Sequence, residues 1–137
     1  MSNTRVLVTG FEPFGGASLN PSQLLVEELA KQKLSGVDLI TAILPVEFDR
    51  AGEILLAKIQ EFSPSVVITF GQAEGRSSIT PEKIAINLDD ARIADNSGDA
   101  RKQNEIVTGG ADGYFSTLPV EKIVSALNVA GVPANLS

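Results

Sequence analysis

The chain has no cysteine and no histidine among its 137 residues. Disulfides, Cys/His zinc centres, thiolate nucleophiles and imidazole acids or bases are thereby excluded from what it does with its own side chains. Catalysis by this chain alone is left to carboxylates, lysine, arginine, hydroxyls and backbone groups. It is also short of bases. Eleven Lys and Arg against 17 Asp and Glu give a net charge of −6, which argues against a phosphate-binding surface and so against nucleic acid as a partner. No long apolar run is present. The N-terminal residues run straight into Val6-Leu7-Val8, too brief for a signal peptide or a bilayer span, so a soluble, cytoplasmic protein with no membrane partner is expected.

What is present suits one domain over 1–137: 43% hydrophobic and 20% charged residues, with no internal repeat or low-complexity tract. Residues 5–10 form a β-branched run closed by Gly10, which reads as a buried strand. Asn20-Pro21-Ser22-Gln23 supplies a helix cap, a proline at the first helical position and a Gln placed for a capping box. The helix should run to about Lys33, with Leu25 and Leu29 one turn apart. Residues 37–44 form a second strand ended by Pro45, and Phe48, Ala51, Leu55, Ile59 and Phe62 recur at helical spacing. Ser63-Pro64 ends that helix and residues 65–70 form a third strand. Strand, helix, strand, helix, strand with near-continuous apolar strands predicts a mostly parallel sheet covered on both faces, hence an α/β fold of three α/β/α layers.

From Gln72 to Gly113 the periodicity fades around one apolar stretch, Ile84-Ala85-Ile86, and the segment is either functional or a site of hairpins. Residues 116–119 begin a further helix whose stripe is Val120, Ile123, Val124 and Leu127 and which Gly131 ends. Residues 132–136 resemble the start of another strand, and the expectation is a domain missing its C-terminal part.

Candidate functional residues lie in the loops that follow strands, where open α/β sheets bind ligands. Phe11 and Phe14 suit the walls of an apolar pocket for a small flat ligand; the competing reading is that they pack their loop onto the core. Gly15 and Gly16 carry neither the Lys-Ser/Thr of a P-loop nor a dinucleotide-binding glycine pattern. The carboxamide of Gln72 can donate to and accept from a cyclic amide, and Glu74 and Arg76 follow it; alternatively these residues form a solvated loop. Glu82, ahead of an apolar run, is either a partly desolvated carboxylate or a helix N-terminal acid facing the dipole. Asp89, Asp90 and Asp95 invite a divalent-cation reading but lack EF-hand spacing, and a turn network around Arg92 accounts for them otherwise.

The segments Val8-Thr9-Gly10-Phe11-Glu12-Pro13-Phe14-Gly15-Gly16, Leu44-Pro45-Val46, Gly71-Gln72-Ala73-Glu74-Gly75-Arg76, Pro81-Glu82-Lys83-Ile84-Ala85-Ile86-Asn87, Asp90-Ala91-Arg92-Ile93-Ala94-Asp95-Asn96 and Tyr114-Phe115-Ser116-Thr117-Leu118-Pro119 together closely resemble the pyroglutamyl peptidase I family, over essentially the whole chain and in order. The resemblance implies a thiol peptidase of α/β/α architecture that removes N-terminal pyroglutamate from peptides through a Cys–His–Glu triad, with no metal or organic cofactor. It implies that Glu82 is the triad carboxylate, that Phe11 and Phe14 line the lactam pocket, that Gln72 recognises the ring and that Arg92 lies near the oxyanion. It further implies a homo-oligomer for the complete enzyme. Ala94 departs from the proline usual in the family. The family's nucleophile and His belong to segments that follow the matched ones, so the expectation is a fragment or truncated copy, inactive alone. The alternative is a catalytically dead module that binds pyroglutamyl ends or pairs with an intact subunit.

Overall fold

A strand whose residues are apolar on both sides belongs in the middle of a covered sheet, and the strand β1, Thr4–Phe11, occupies that place. The computed structural model describes residues 2–137. They divide into two compact units, one made of the chain up to Gln72 together with Arg92–Ala100, the other of Ala73–Ala91 and Arg101–Ser137.

In the first unit β1 pairs in parallel with β2, Val37–Leu44, from Thr4↔Val37 to Phe11↔Leu44. On its other side β1 pairs in parallel with β3, Val66–Thr69, from Val6↔Val66 to Thr9↔Thr69. The strand order is β2-β1-β3. Helix α1, Pro21–Ala30, connects β1 to β2 and packs on both, and helix α2, Arg50–Phe62, connects β2 to β3 and packs on β2. The chain moves one way across the sheet from β1 to β2 and the opposite way from β2 to β3. With right-handed crossovers, the rule for parallel connections, these two steps set α1 and α2 on opposite faces, the layered arrangement that the alternating pattern predicts. Four consecutive residues of β1, Leu7 to Gly10, are buried, and Leu7 and Val8 form the apolar core with Val26 and Leu44.

The helix contacts differ in detail from their spacing. In α1 the buried residues are Ser22 and Val26, not Leu25, which is 43% exposed. The reason is Gly10: a Cβ there would lie 2.5 Å from the Ser22 carbonyl oxygen and 3.1 Å from Val26 Cγ2, so the helix sits directly on the β1 backbone. Asn20 caps the helix as expected, accepting from the Ser22 N–H. Gln23 does not complete a capping box; its amide donates to Glu27 instead, at 2.9 Å. Helix α1 ends at Ala30, a turn short of Lys33. In α2 the expected stripe of Ala51, Leu55, Ile59 and Phe62 is half-buried, while Phe48 precedes the helix. Ser63 closes α2 in the left-handed conformation at φ 47.

The second unit holds a two-stranded antiparallel ribbon, β4 (Ile84–Ile86) with β5 (Gly113–Phe115), in the register Ile84↔Phe115, Ala85↔Tyr114 and Ile86↔Gly113. Helix α3, Val120–Val129, half-buries Val120, Ile123, Val124 and Leu127, the stripe read from the sequence, and Gly131 follows at φ +85. Residues 132–136 do not form the expected strand: Ile79 and Ala134 make an isolated parallel bridge. Among the described residues no helix is long and apolar enough to cross a membrane.

Candidate functional site

The order β2-β1-β3 reverses direction at β1 and β3, and the crevice outside the carboxyl ends of these two strands is the ligand position of an open α/β sheet. Two loops leave there, one after Phe11 and one after Thr69. The first is tied down by its backbone. The Phe11 N–H donates to Ser22 Oγ at 2.9 Å, the Glu12 N–H to the Leu44 carbonyl at 3.1 Å, and Asn20 Nδ2 to the Glu12 carbonyl at 3.0 Å. Gly15 and Gly16 sit at φ 62 and 78, a conformation glycine adopts without strain, and the Ala17 N–H closes the turn on the Phe14 carbonyl at 3.1 Å. Their role is to turn the chain.

Phe11 and Phe14 are both half-buried. Phe11 is not in the loop, as expected, but is the last residue of β1, and its ring reaches to 4.0 Å of the Cβ position of Gly71, so the end of β1 meets the loop after β3. Gln72, next in sequence, is half-buried. An aromatic ring and a carboxamide are group types that suit a small, neutral, hydrogen-bonding ring better than a charged group.

The segment Arg92–Ala100 belongs to this same unit. Ile93 Cδ1 lies 3.6 Å from the Cβ position of Gly15. Asn96 donates from Nδ2 to the Pro13 carbonyl at 2.9 Å and from its backbone N–H to the Val46 carbonyl at 2.8 Å. Asp95 receives the Phe48 N–H on Oδ2 at 2.7 Å, and the Ser97 hydroxyl, Ser97 N–H and Asp99 N–H on Oδ1 at 2.7, 2.9 and 2.9 Å. Desolvation works to raise the Asp95 pKa, but these donors outweigh it and hold the carboxyl down at about 2. Asp95, expected among divalent-cation ligands with Asp89 and Asp90, instead spends both oxygens on these donors. The signal was the run Asp95-Asn96-Ser97-Gly98, a turn former whose acid bonds its own following backbone. Arg92, expected at the centre of a turn network, is exposed and makes no ion pair or hydrogen bond among the described residues.

Glu82 and Arg76 lie in the second unit. Glu82 is not at a helix N-terminus: it stands in the extended lead into β4. Nor is it desolvated by the apolar run, because Ile84, Ala85 and Ile86 are themselves exposed. Its partner is Arg76, with Nη1 3.6 Å from Glu82 Oε1; the same nitrogen donates to Thr80 Oγ1 at 2.7 Å and to Ser137 Oγ at 3.4 Å. The network predicted for Arg92 is built on Arg101, whose Nη1 meets Asp89 Oδ2 at 3.0 Å. Asp90 accepts from Gln103 Nε2 at 2.6 Å. Among the described residues no group of three or more acids could hold a metal ion.

These features define an open α/β protein with loops leaving the carboxyl ends of its parallel strands. More narrowly, the chain belongs to the pyroglutamyl peptidase family, whose sequence pattern matches residues 4–137. It is 48% identical over 133 residues to a pyrrolidone-carboxylate peptidase of Vibrio vulnificus, covering 97% of this chain and 63% of that protein. It is 50% identical over 132 residues to pyrrolidone-carboxylate peptidase 1 of Photorhabdus laumondii, covering 96% and 60%. Among solved structures, a mutant pyrrolidone carboxyl peptidase from Pyrococcus furiosus superposes with a TM-score of 0.94 at 43% identity, covering 98% of this chain and 64% of that one. Pyroglutamyl peptidase I of Bacillus amyloliquefaciens does so with a TM-score of 0.94 at 37% identity, covering 98% and 66%. The chain thus spans somewhat less than two thirds of the length of these relatives.

Proposed function

We propose that this chain is the N-terminal portion of a pyroglutamyl peptidase, a thiol peptidase that hydrolyses the bond after an N-terminal 5-oxoproline in peptides. The observation that supports the reading is the Phe11 ring 4.0 Å from the Cβ position of Gly71, the residue before Gln72, at the sheet's switch point. Phe11 and Phe14 are the walls for the lactam, Gln72 its polar contact, and Arg92, exposed and without a partner among the described residues, lies near the oxyanion. Glu82 is the carboxylate that orients a histidine. The thiolate that attacks the carbonyl and the imidazole that first removes and then returns its proton are residue types absent from this sequence. The share of its relatives' length that the chain covers supports reading 1–137 as one α/β domain that is incomplete here. Location in the cytoplasm and homo-oligomerisation of the complete enzyme are carried by the family resemblance.

The test is release of aminomethylcoumarin from its pyroglutamyl derivative. The chain alone is expected to release none, and the chain joined to the C-terminal third of a relative is expected to turn over. In that joined protein Glu82→Gln lowers kcat chiefly, and Phe14→Ala chiefly raises KM. Turnover by the chain alone, or a joined protein indifferent to both changes, overturns the assignment.

The missing thiol and imidazole also favour a second reading, a module that binds pyroglutamyl ends without cleaving them. Binding of pyroglutamate by a joined protein that folds yet never turns over selects it.

A further inference from the structure

The loop after β1, which carries Phe14, has little to hold its outer half. Beyond Glu12 its backbone passes through Pro13, which has no N–H, and through Gly15 and Gly16, which are conformationally free; among the described residues the local backbone closure is Ala17 N–H to the Phe14 carbonyl. The Pro13 carbonyl belongs to the rigid peptide plane that leads into Phe14, so whatever holds that oxygen fixes the direction in which Phe14 leaves the loop. Asn96 Nδ2 holds it at 2.9 Å.

Asn96 is itself immobilised from two sides. Its N–H is bound to the Val46 carbonyl at 2.8 Å, just after β2. Its neighbour Asp95 is locked to the Phe48 N–H and into a turn closed by the Asp95 N–H on the Asp99 carbonyl at 2.8 Å and the Gly98 N–H on the Asp95 carbonyl at 3.0 Å. The carboxamide therefore extends from an anchored base onto the outer half of a loop that is otherwise held there by the Ala17–Phe14 turn.

We infer that Asn96 is a positioning residue for the aromatic wall: by donating to the Pro13 carbonyl it sets the placement of Phe14 for a cyclic amide ligand. The inference rests on reading that wall as the lactam site. Asn96 is exposed, so its substitution removes the tether without opening the core. Aspartate has the same shape but no donor and sets a negative charge against the carbonyl oxygen, whereas glutamine keeps the donor on a longer arm.

The experiment uses the whole chain, titrated with L-pyroglutamate and followed by amide hydrogen exchange. Asn96→Asp is expected to speed exchange at Ala17 about tenfold and to weaken pyroglutamate binding by a similar factor. Exchange at Leu7 and Val8 and the thermal midpoint should stay as in the parent, and Asn96→Gln should recover part of the affinity. Unchanged exchange at Ala17, or equal affinity in Asn96→Asp and the parent, overturns the inference. If the parent binds no pyroglutamate, the lactam reading fails on its own account and exchange at Ala17 alone decides whether Asn96 orders the loop.

Discussion

Asn20 Oδ1 accepts from both the backbone N–H and the hydroxyl of Ser22, at 3.0 and 2.8 Å, so one buried carboxamide caps helix α1 and orients the hydroxyl that in turn receives the Phe11 N–H. With Asn20 Nδ2 on the Glu12 carbonyl, the start of the helix and the end of β1 are fixed by the same two side chains. Both are buried, which leaves water no part in replacing either.

Asn20→Ala should therefore cost more than an exposed cap. Loss of the cap is worth about 1 kcal/mol, and the stranded Glu12 carbonyl and Phe11–Ser22 pair add to it, for a total of about 2–3 kcal/mol. Urea denaturation measures it; a loss under about 1 kcal/mol would mean the network contributes nothing beyond an ordinary cap.

Gly10→Ala should destabilise by at least about 1–3 kcal/mol, since the added methyl meets the Ser22 carbonyl carbon and oxygen at 2.8 and 2.5 Å and backbone cannot swing aside. Gly52→Ala is the control. It lies in α2 with nothing within 4 Å of its Cβ position, and about 0.4–1 kcal/mol of stabilisation is expected. Thermal midpoints that move the same way in both variants would contradict the packing of α1 on β1.

The Asp95 carboxyl has its pKa lowered from 3.8 to about 2 on folding. A depressed acid gives stability that is complete above the unfolded value and lost as pH falls through the folded one, so its contribution fades between about pH 4 and pH 2. Asp95→Asn should flatten the fall in denaturation midpoint across that window relative to the parent. Parallel pH profiles for the two proteins would show that the four donors do not favour the ionised form.

Asp89 and Arg101 are only 15% and 19% exposed at their side chains, and their pairing accompanies the bridge in which the Asp89 N–H donates to the Asn104 carbonyl at 2.7 Å. Arg101→Met leaves an acid in a shielded position and should cost about 2–4 kcal/mol; the double change with Asp89→Leu should cost less than the sum of the single ones. Additive losses, measured by chemical denaturation, would assign the pair no coupling.

The parallel sheet and its helices were legible because each strand there is a near-continuous apolar run and the connecting segments carry a helix cap or a helical apolar spacing. The ribbon of β4 and β5 was not. Each of its strands is three residues long, and Tyr114 and Phe115 are 60% and 72% exposed, so neither length nor alternation marks them. Gln72 was legible as a loop residue after a strand, whereas Phe11, expected in the loop after β1, is that strand's last residue, paired with Leu44. The role proposed for Glu82 rests on the family's motif alone: its local surroundings, an exposed lead into an exposed strand, carry no sign of chemistry. Asn96 could not be read at all, because its partner Pro13 is far away in sequence and a carbonyl oxygen leaves no trace in residue type.

The sheet unit is not written in one piece: the chain leaves it after Gln72, returns from Arg92 to Ala100, and leaves again. A recombinant product cut at Gln72 would keep every strand of the parallel sheet and both its helices, yet lose the tethers on Pro13 and Phe48. Such a product is expected to register as folded by circular dichroism while its aromatic loop wanders. For anyone trimming this polypeptide to a smaller scaffold, the far stretch must be retained or its amide supplied by a redesigned neighbour.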